Sequence, residues 1–145
     1  MFKRILVPVD GSSTSMQVVD KAIVIAKAFG ASVTVVCVID PYPFTGVGED
    51  FGYGQSEYLS AAMAEAHRSI HDAESAFKAA GLATEARIVE NRVPHEGILD
   101  TATDLGADMI VMGSHGRRGL QRFLLGSVAQ RVLSHADAPV LVVRG

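Results

Sequence analysis

The 145-residue sequence is poor in cysteine and has no tryptophan: Cys37 is its single thiol. A lone cysteine excludes a disulfide framework and favours a reducing compartment, so we expect a cytoplasmic protein. No apolar run approaches the roughly 20 residues that a transmembrane helix needs. Lys3 and Arg4 precede a short apolar strand and not the apolar core of a signal peptide. We therefore expect no membrane partner.

Net charge is also low, at −3, and this argues against a nucleic-acid-binding protein. One segment departs from the acidic balance, because residues 113–131 contain no aspartate or glutamate. The same segment carries four arginines, at positions 117, 118, 122 and 131. This local positive charge predicts contact with a small anion.

Short apolar runs alternate along the chain with segments of helical periodicity. Five strands are predicted, at Ile5–Val9, Val33–Ile39, Thr84–Val89, Asp108–Met112 and Val140–Val143. Four helices are predicted between them: one from residues 12–14 to Gly30, one over Glu57–Ala80, one from Pro94 to Gly106, and one over Ser127–His135. This alternation predicts a single α/β domain over residues 1–145, with a mostly parallel sheet and helices on both faces.

Ligands of such sheets bind beyond the carboxyl ends of the strands, where the strand order reverses. Asp10, the residues after Ile39, and Gly113 all follow the ends of predicted strands. We expect these three strand ends to converge on one crevice. Asp10 has two compatible roles there, as the N-cap of the first helix or as a ligand contact through Mg²⁺.

A glycine motif follows the fourth predicted strand. It reads Gly113-Ser-His-Gly116, then nine residues, then Gly126-Ser127 at the start of a helix. Glycines allow a ligand to approach the backbone closely, and a helix N-terminus offers amides and a positive dipole end to an anion. The motif predicts a phosphate site, with the amides of Gly116, Gly126 and Ser127 as donors.

Other readings of the same residues are less favourable. There is no G-x4-G-K-[ST] element, so the chain is not a P-loop NTPase, and the glycine-rich and aromatic loop over residues 40–56 is not a dinucleotide fingerprint. His67 and His71 lack a third metal ligand, and a solvated helix face explains them better. His115 is better explained as a turn residue beside phosphate than as a general base.

The segment from Met112 to Val128 closely resembles the G-x2-G-x9-G-[ST] signature of ATP-binding universal stress proteins. The opening run Ile5–Ser12 and the closing run Ala138–Arg144 resemble the same family. The resemblance therefore spans the chain. It implies an open sheet of five parallel strands in the order 3-2-1-4-5, similar to the adenine nucleotide alpha hydrolase fold and Rossmann-like folds.

The resemblance also implies ATP, with Mg²⁺, as the cofactor, across the switch between strands 1 and 4. Pro8, Val9 and Asp10 would line the adenosine end, and the backbone of Val38 would meet the adenine edge. The remaining positions divide between the ribose, at Met112 and Gly113, and the triphosphate, at Ser114, His115, Gly116, Arg117, Arg118, Gly126, Ser127 and Val128.

Three functions agree with such a site. The first is a stress-response regulator in which the nucleotide stabilises one conformation and a partner protein recognises that conformation. The second is a slow ATP hydrolase or phosphotransferase; the third is a dimeric scaffold with a structural nucleotide. Because the sequence shows no base beside the phosphates, we expect no dedicated catalysis. The family's strand order puts Val140–Val143 at a sheet edge, where an antiparallel homodimer contact would cover it.

Overall fold

The computed structural model describes residues 1–12, 14–41, 52–115 and 125–144. Within these residues the chain forms five strands and four helices: β1 (Arg4–Pro8), α1 (Ser15–Phe29), β2 (Ser32–Ile39), α2 (Gly52–Ala79), β3 (Thr84–Glu90), α3 (Pro94–Leu105), β4 (Met109–Gly113), α4 (Ser127–His135) and β5 (Val140–Val143). None of the helices in these ranges is long and apolar enough to cross a bilayer.

The strands form one parallel sheet in the order β3-β2-β1-β4-β5, which confirms the predicted fold. β1 lies at the centre, with β2 on one side and β4 on the other. Pro8 is the last residue of β1 that pairs with β2, opposite Val36. Since the chain leaves β1 towards one edge and returns to β4 on the other side, the strand order reverses between β1 and β4.

Alternate residues of the strands pack on opposite faces of the sheet, as a period of two requires. In β2, Val35 and Cys37 join the hydrophobic cluster with residues of α1 and α2, whereas Val36 joins the cluster with residues of α3 and α4. Both faces are therefore buried, and this explains why the central strands are continuously apolar.

Three helices end as the sequence predicts, at glycines in the left-handed region, and one of these is Gly81 after α2, with φ 82°. Gly30 has φ 65° and Gly106 has φ 64°, and the chain after each helix donates amides back to the last carbonyls of that helix. These C-terminal caps lie at the amino edge of the sheet, because each helix runs antiparallel to the strands that flank it.

Two boundaries differ from the prediction in a way that affects the site. α2 begins at Gly52, five residues before the predicted Glu57, so the last part of the predicted 40–56 loop is helical. Glycine costs about 1 kcal/mol in a helix, but extending an existing helix needs no new nucleation. β4 ends at Gly113 and not at Met112, so the first glycine of the motif pairs with β5. Residues 42–51 of the predicted loop lie outside the described residues.

Candidate functional site

The candidate site lies at the carboxyl edge of the sheet, where β1 and β4 are neighbours and the chain leaves them in different directions. β1 leads into the turn before α1, which packs on one face, and β4 leads into the glycine motif before α4, which packs on the other. Residues of both turns can therefore contact a ligand in the crevice between them.

Asp10 organises the turn between β1 and α1. One carboxylate oxygen, Oδ1, accepts the N–H of Ser12 at 2.9 Å and the hydroxyl of Ser15 at 3.1 Å. Gly11, with φ 78°, allows the chain to reverse between them. The N-cap residue of α1 is Thr14, which makes no side-chain cap bond. Asp10 therefore supports the start of α1 from outside the helix, and its predicted ligand contact stays a prediction.

The hydroxyls of this turn reach the glycine motif. Ser12 Oγ and Thr14 Oγ1 are 2.9 Å apart. Thr14 Oγ1 in turn donates to the carbonyl of His115, a contact of 3.5 Å across 101 residues of sequence. The start of α1 and the segment after β4 thus form adjoining walls of the crevice.

Ser114 connects β4, β5 and α4. Its N–H donates to the carbonyl of Val143 at 2.9 Å, and its own carbonyl accepts the N–H of Gly126 at 2.8 Å. The side chain is buried, and its hydroxyl lies 3.1 Å from Nδ1 of His115. These bonds bring the two ends of the glycine motif together, although nine residues separate Gly116 from Gly126 in the sequence.

Gly126 is needed at this crossing because the backbones approach too closely for a side chain. A Cβ at Gly126 would lie 2.9 Å from the carbonyl oxygen of Ser114. The sequence analysis assigned the Gly126 amide to a phosphate, but that amide already donates to Ser114. The role of Gly126 in this structure is instead to let α4 begin beside Ser114.

The first turn of α4 supplies the donors at this place. The amides of Ser127 and Val128 belong to the first turn, which has no acceptor within the helix, and Gly126 provides no side-chain cap. The first turn also has no acidic residue that would neutralise the positive end of the helix dipole. An anion in the crevice next to Ser114 would meet this end of α4.

The backbone N–H and C=O of Val38 also lie at the carboxyl edge. Their direction follows from the register of β2 against β1. The last bond between β1 and β2 runs from Val9 N–H to the carbonyl of Val36, at 2.8 Å. Val38 is two residues further along β2, so its N–H and C=O point to the same side as those of Val36. The described part of the chain gives no further bond from β1 to β2 beyond Val9. One donor and one acceptor are therefore presented past the end of β1.

A crevice of about 190 Å³ opens beside this backbone. One wall is Asp10 together with the end of β2 and the residue after it, from Cys37 to Asp40; the other wall is the stretch of α2 from Tyr58 to Ser69. The residues of α2 that line it are Tyr58, Ala62, Glu65, Ala66 and Ser69. Sequence reasoning missed this wall because it treated α2 only as a packing helix.

Comparison with known proteins identifies the family. The family model described as the universal stress protein family matches residues 1–144. A universal stress protein of Methanocaldococcus jannaschii is 37% identical over 145 residues, a match that covers 99% of this chain and 83% of that protein. The chain belongs to the universal stress protein family.

Two solved universal stress proteins with similar folds hold an adenine nucleotide. One, from Archaeoglobus fulgidus, is a complex with dAMP: its TM-score is 0.70 at 26% identity, and the match covers 97% of each chain. The other is a complex with cAMP: its TM-score is 0.69 at 26% identity, and the match covers 99% of this chain and 97% of that one.

Most residues that the universal stress protein signature predicts for the site lie at the same sheet edge. Pro8 ends β1 and Val9 and Asp10 follow it; Val38 is near the end of β2. Gly113 ends β4 and Ser114 and His115 follow it, and Gly126 to Val128 form the N-cap and the start of α4. Gly116, Arg117, Arg118 and Arg122 of the predicted phosphate site lie outside the described residues.

The described residues contain no cluster of side chains that could hold a metal ion without a further ligand. Across residues 1–12, 14–41, 52–115 and 125–144, no three His, Cys, Asp or Glu side chains are grouped to hold a metal ion. His67 and His71 are both exposed on α2, where the sequence analysis favoured a solvated face. The predicted Mg²⁺ contact therefore rests on a single protein carboxylate, that of Asp10.

Proposed function

We propose that the protein binds ATP, with Mg²⁺, in the crevice between β1 and β4, and acts as a nucleotide-dependent regulator in a stress response. The observation that carries this proposal is that two backbone surfaces for which the described residues supply no partner lie at one sheet edge: the first turn of α4 beside Ser114, and the N–H and C=O of Val38 past the end of β1. The dAMP and cAMP complexes of related proteins support an adenine nucleotide.

The adenine would bind at Val38. The Watson–Crick edge of adenine has one acceptor, N1, next to one donor, the 6-amino group. The N–H and C=O of Val38 are the complementary pair. The apolar residues Pro8 and Val9 would contact the base. From the family signature, Met112 and Gly113 would lie against the ribose.

The phosphates would bind at the start of α4. Amides of Ser127 and Val128 and the Ser127 hydroxyl would donate to phosphate oxygens, and the helix dipole would favour the negative charge. We propose that Ser114 and His115 also belong to the phosphate site, and the family signature adds Gly116, Arg117 and Arg118. Magnesium in proteins is often held by one or two carboxylates together with substrate phosphates, so the single carboxylate of Asp10 fits a metal ion that comes with ATP. That ion would neutralise phosphate charge.

The arrangement favours regulation over catalysis. Phosphoryl transfer needs a group that orients the attacking water or hydroxyl. His115 is an ionisable side chain beside the proposed phosphate donors, with its Cδ2 3.8 Å from the position of a Cβ at Gly126, and its Nδ1 is paired with the Ser114 hydroxyl. We therefore propose that ATP stabilises one conformation, which a partner protein recognises.

We also propose that the protein is a single cytoplasmic domain and a homodimer joined through β5. The thiol of Cys37 is buried and suits a reducing compartment. β5 is a four-residue apolar strand at the edge of the sheet, and Leu141 on it is 38% exposed. Pairing of β5 with its copy about a two-fold axis would cover this edge.

The most direct experiment is to release bound nucleotide from the purified protein by heat and identify it by chromatography. Protein freed of nucleotide by dialysis is then titrated with MgATP in a calorimeter. We expect adenine nucleotide in the preparation or saturable binding of MgATP. A preparation that contains no adenine nucleotide and takes up none would contradict the proposal. Nucleotide that dialysis cannot remove without unfolding the protein would favour a structural cofactor over a reversible signal.

A further inference from the structure

We propose that α2 forms one wall of the nucleoside subsite, and that Glu65 on this helix makes the site prefer a 6-amino purine over a 6-oxo purine. This inference rests on the proposed function, because it concerns how the same nucleotide is selected. It depends on the crevice of about 190 Å³ between the end of β2 and α2.

The position of the crevice suits a base more than a phosphate. It is lined by Val38, whose backbone faces the end of β1, and by α2, which packs on β2 and β3 on the side of the sheet away from α4. A nucleotide with its phosphates at the α4 N-terminus and its base at Val38 would direct the base towards α2.

Small side chains keep the crevice open. Ala62 and Ala66 are one helical turn apart on the face of α2 that lines it. Ala66 is buried and Ala62 partly so, while Ala61 and Ala64 of the same helix are exposed. A larger residue at position 62 would occupy the space of the base, whereas one at position 61 would extend into solvent.

Apart from the hydroxyl of Tyr58, which can donate as well as accept, the polar side chains of the walls are available to a ligand as hydrogen-bond acceptors. Asp40 at the end of β2 and Glu65 on α2 contribute carboxylates. Ser69 already uses its hydroxyl proton, which it donates to the backbone carbonyl of Glu65 at 3.1 Å, so its oxygen can only accept further bonds. An ionised carboxylate has about four acceptor sites and can bind a ligand in addition to other donors.

A wall of acceptors distinguishes adenine from its 6-oxo analogue. The 6-amino group of adenine has two N–H donors; one would bind the carbonyl of Val38, and the second would bind an acceptor across the crevice. Hypoxanthine has a carbonyl oxygen at this position, which would face a carboxylate without a proton between them. Leaving a buried polar group unpaired in this way is costly, so the mismatch lowers affinity.

The test compares ATP with ITP, which differ at position 6 and the adjacent N1. We expect wild-type protein to bind MgATP at least ~30-fold more tightly than MgITP, because both Val38 and Glu65 oppose the 6-oxo base. Glu65→Gln supplies an amide that can donate to the 6-oxo group, so the ATP/ITP ratio should fall at least ~3-fold. The ratio is the readout because loss of one negative charge affects both triphosphates equally. Glu74→Gln is the matched control on α2: Glu74 pairs with Lys78 and does not line the crevice.

A second variant tests the wall by its shape. Ala62→Leu should weaken MgATP binding at least ~10-fold, and Ala61→Leu should leave it unchanged, with circular dichroism showing that both variants are folded. The inference is overturned if folded Ala62→Leu keeps wild-type affinity, or if Glu65→Gln changes the ATP/ITP ratio less than ~3-fold. If wild-type protein binds neither triphosphate, the proposed function itself fails, and this result is distinct from both others.

Discussion

The hydrogen bonding of the helix ends differs between the amino and carboxyl edges of the sheet. At the amino edge, Gly30, Gly81 and Gly106 all adopt positive φ after a helix, and amides at each helix end bond back to its last carbonyls. The strands are also tied down there: the carboxylate of Asp108 accepts the amides of Lys3 and Arg4, at 2.8 and 3.1 Å.

At the carboxyl edge, α1, α3 and α4 begin without a side-chain cap. The N-cap residues of α1, α3 and α4 are Thr14, Val93 and Gly126, and none of them makes a side-chain cap bond. Backbone amides at such helix N-termini bond to the preceding turn, as Ser15 does to the Ser12 carbonyl, to water or to a ligand. The comparison teaches that the fold closes its helix ends with backbone hydrogen bonds at the amino edge and leaves helix N-termini without side-chain caps at the carboxyl edge, where we propose that the nucleotide binds.

The largest expected effect on nucleotide binding comes from a substitution at Gly126, at the carboxyl edge. A valine there would place Cβ against the Ser114 carbonyl, 2.9 Å from the oxygen, and shift the start of α4. We expect MgATP to bind at least ~100-fold more weakly to Gly126→Val, equivalent to ~2.7 kcal/mol, measured by calorimetry. Wild-type affinity in a folded Gly126→Val protein would contradict the phosphate assignment.

A second prediction compares the two side edges of the sheet. β3 carries Glu85, Arg87 and Glu90, and charges of this kind discourage pairing, whereas β5 is apolar throughout. We expect light scattering to show a dimer that Leu141→Lys converts into a monomer, while Arg87→Lys on β3 keeps the dimer as the control. A wild-type protein that is monomeric at every concentration would rule out the β5 interface.

The matching change at the amino edge should affect stability and not binding. Gly106→Ala meets no obstacle beyond a contact of 3.6 Å with the Arg4 guanidinium, so its cost is the left-handed backbone alone. We expect thermal or denaturant unfolding to show a loss of about 1–2 kcal/mol. MgATP affinity should stay within twofold of wild type, a difference of ~0.4 kcal/mol. A large loss of affinity in Gly106→Ala would mean that the two edges are not independent.

The smallest expected effect concerns turnover. Backbone amides at a helix N-terminus bind ground-state triphosphate about as well as a transition state, and uniform binding of this kind does not raise the rate. In single-turnover assays with labelled MgATP we expect hydrolysis well below ~1 s⁻¹. At saturating MgATP, Asp10→Ala and His115→Ala should leave this low rate unchanged. A rate above ~1 s⁻¹ that survives repurification and disappears in either variant would favour an enzyme.

The order of elements could be predicted from the sequence because each signal is local. Apolar runs such as Val33–Ile39 predict buried strands, and Gly30 and Gly106 mark helix ends, since only glycine adopts positive φ without strain. The strand order and the nucleotide assignment came from resemblance of the glycine motif to a family, and the structure confirms the strand order.

Three features depended on tertiary structure, because they arise from residues distant in sequence. The Gly126 amide bonds to Ser114 and not outward, since the two backbones cross within 2.8 Å. The direction of the Val38 backbone follows from the register of β1 against β2, which an apolar strand end does not encode. The α2 wall of the crevice depends on how a helix packs over β2 and β3. The chain by itself determined which segments are strands and helices; packing decided which of their backbone groups face a ligand.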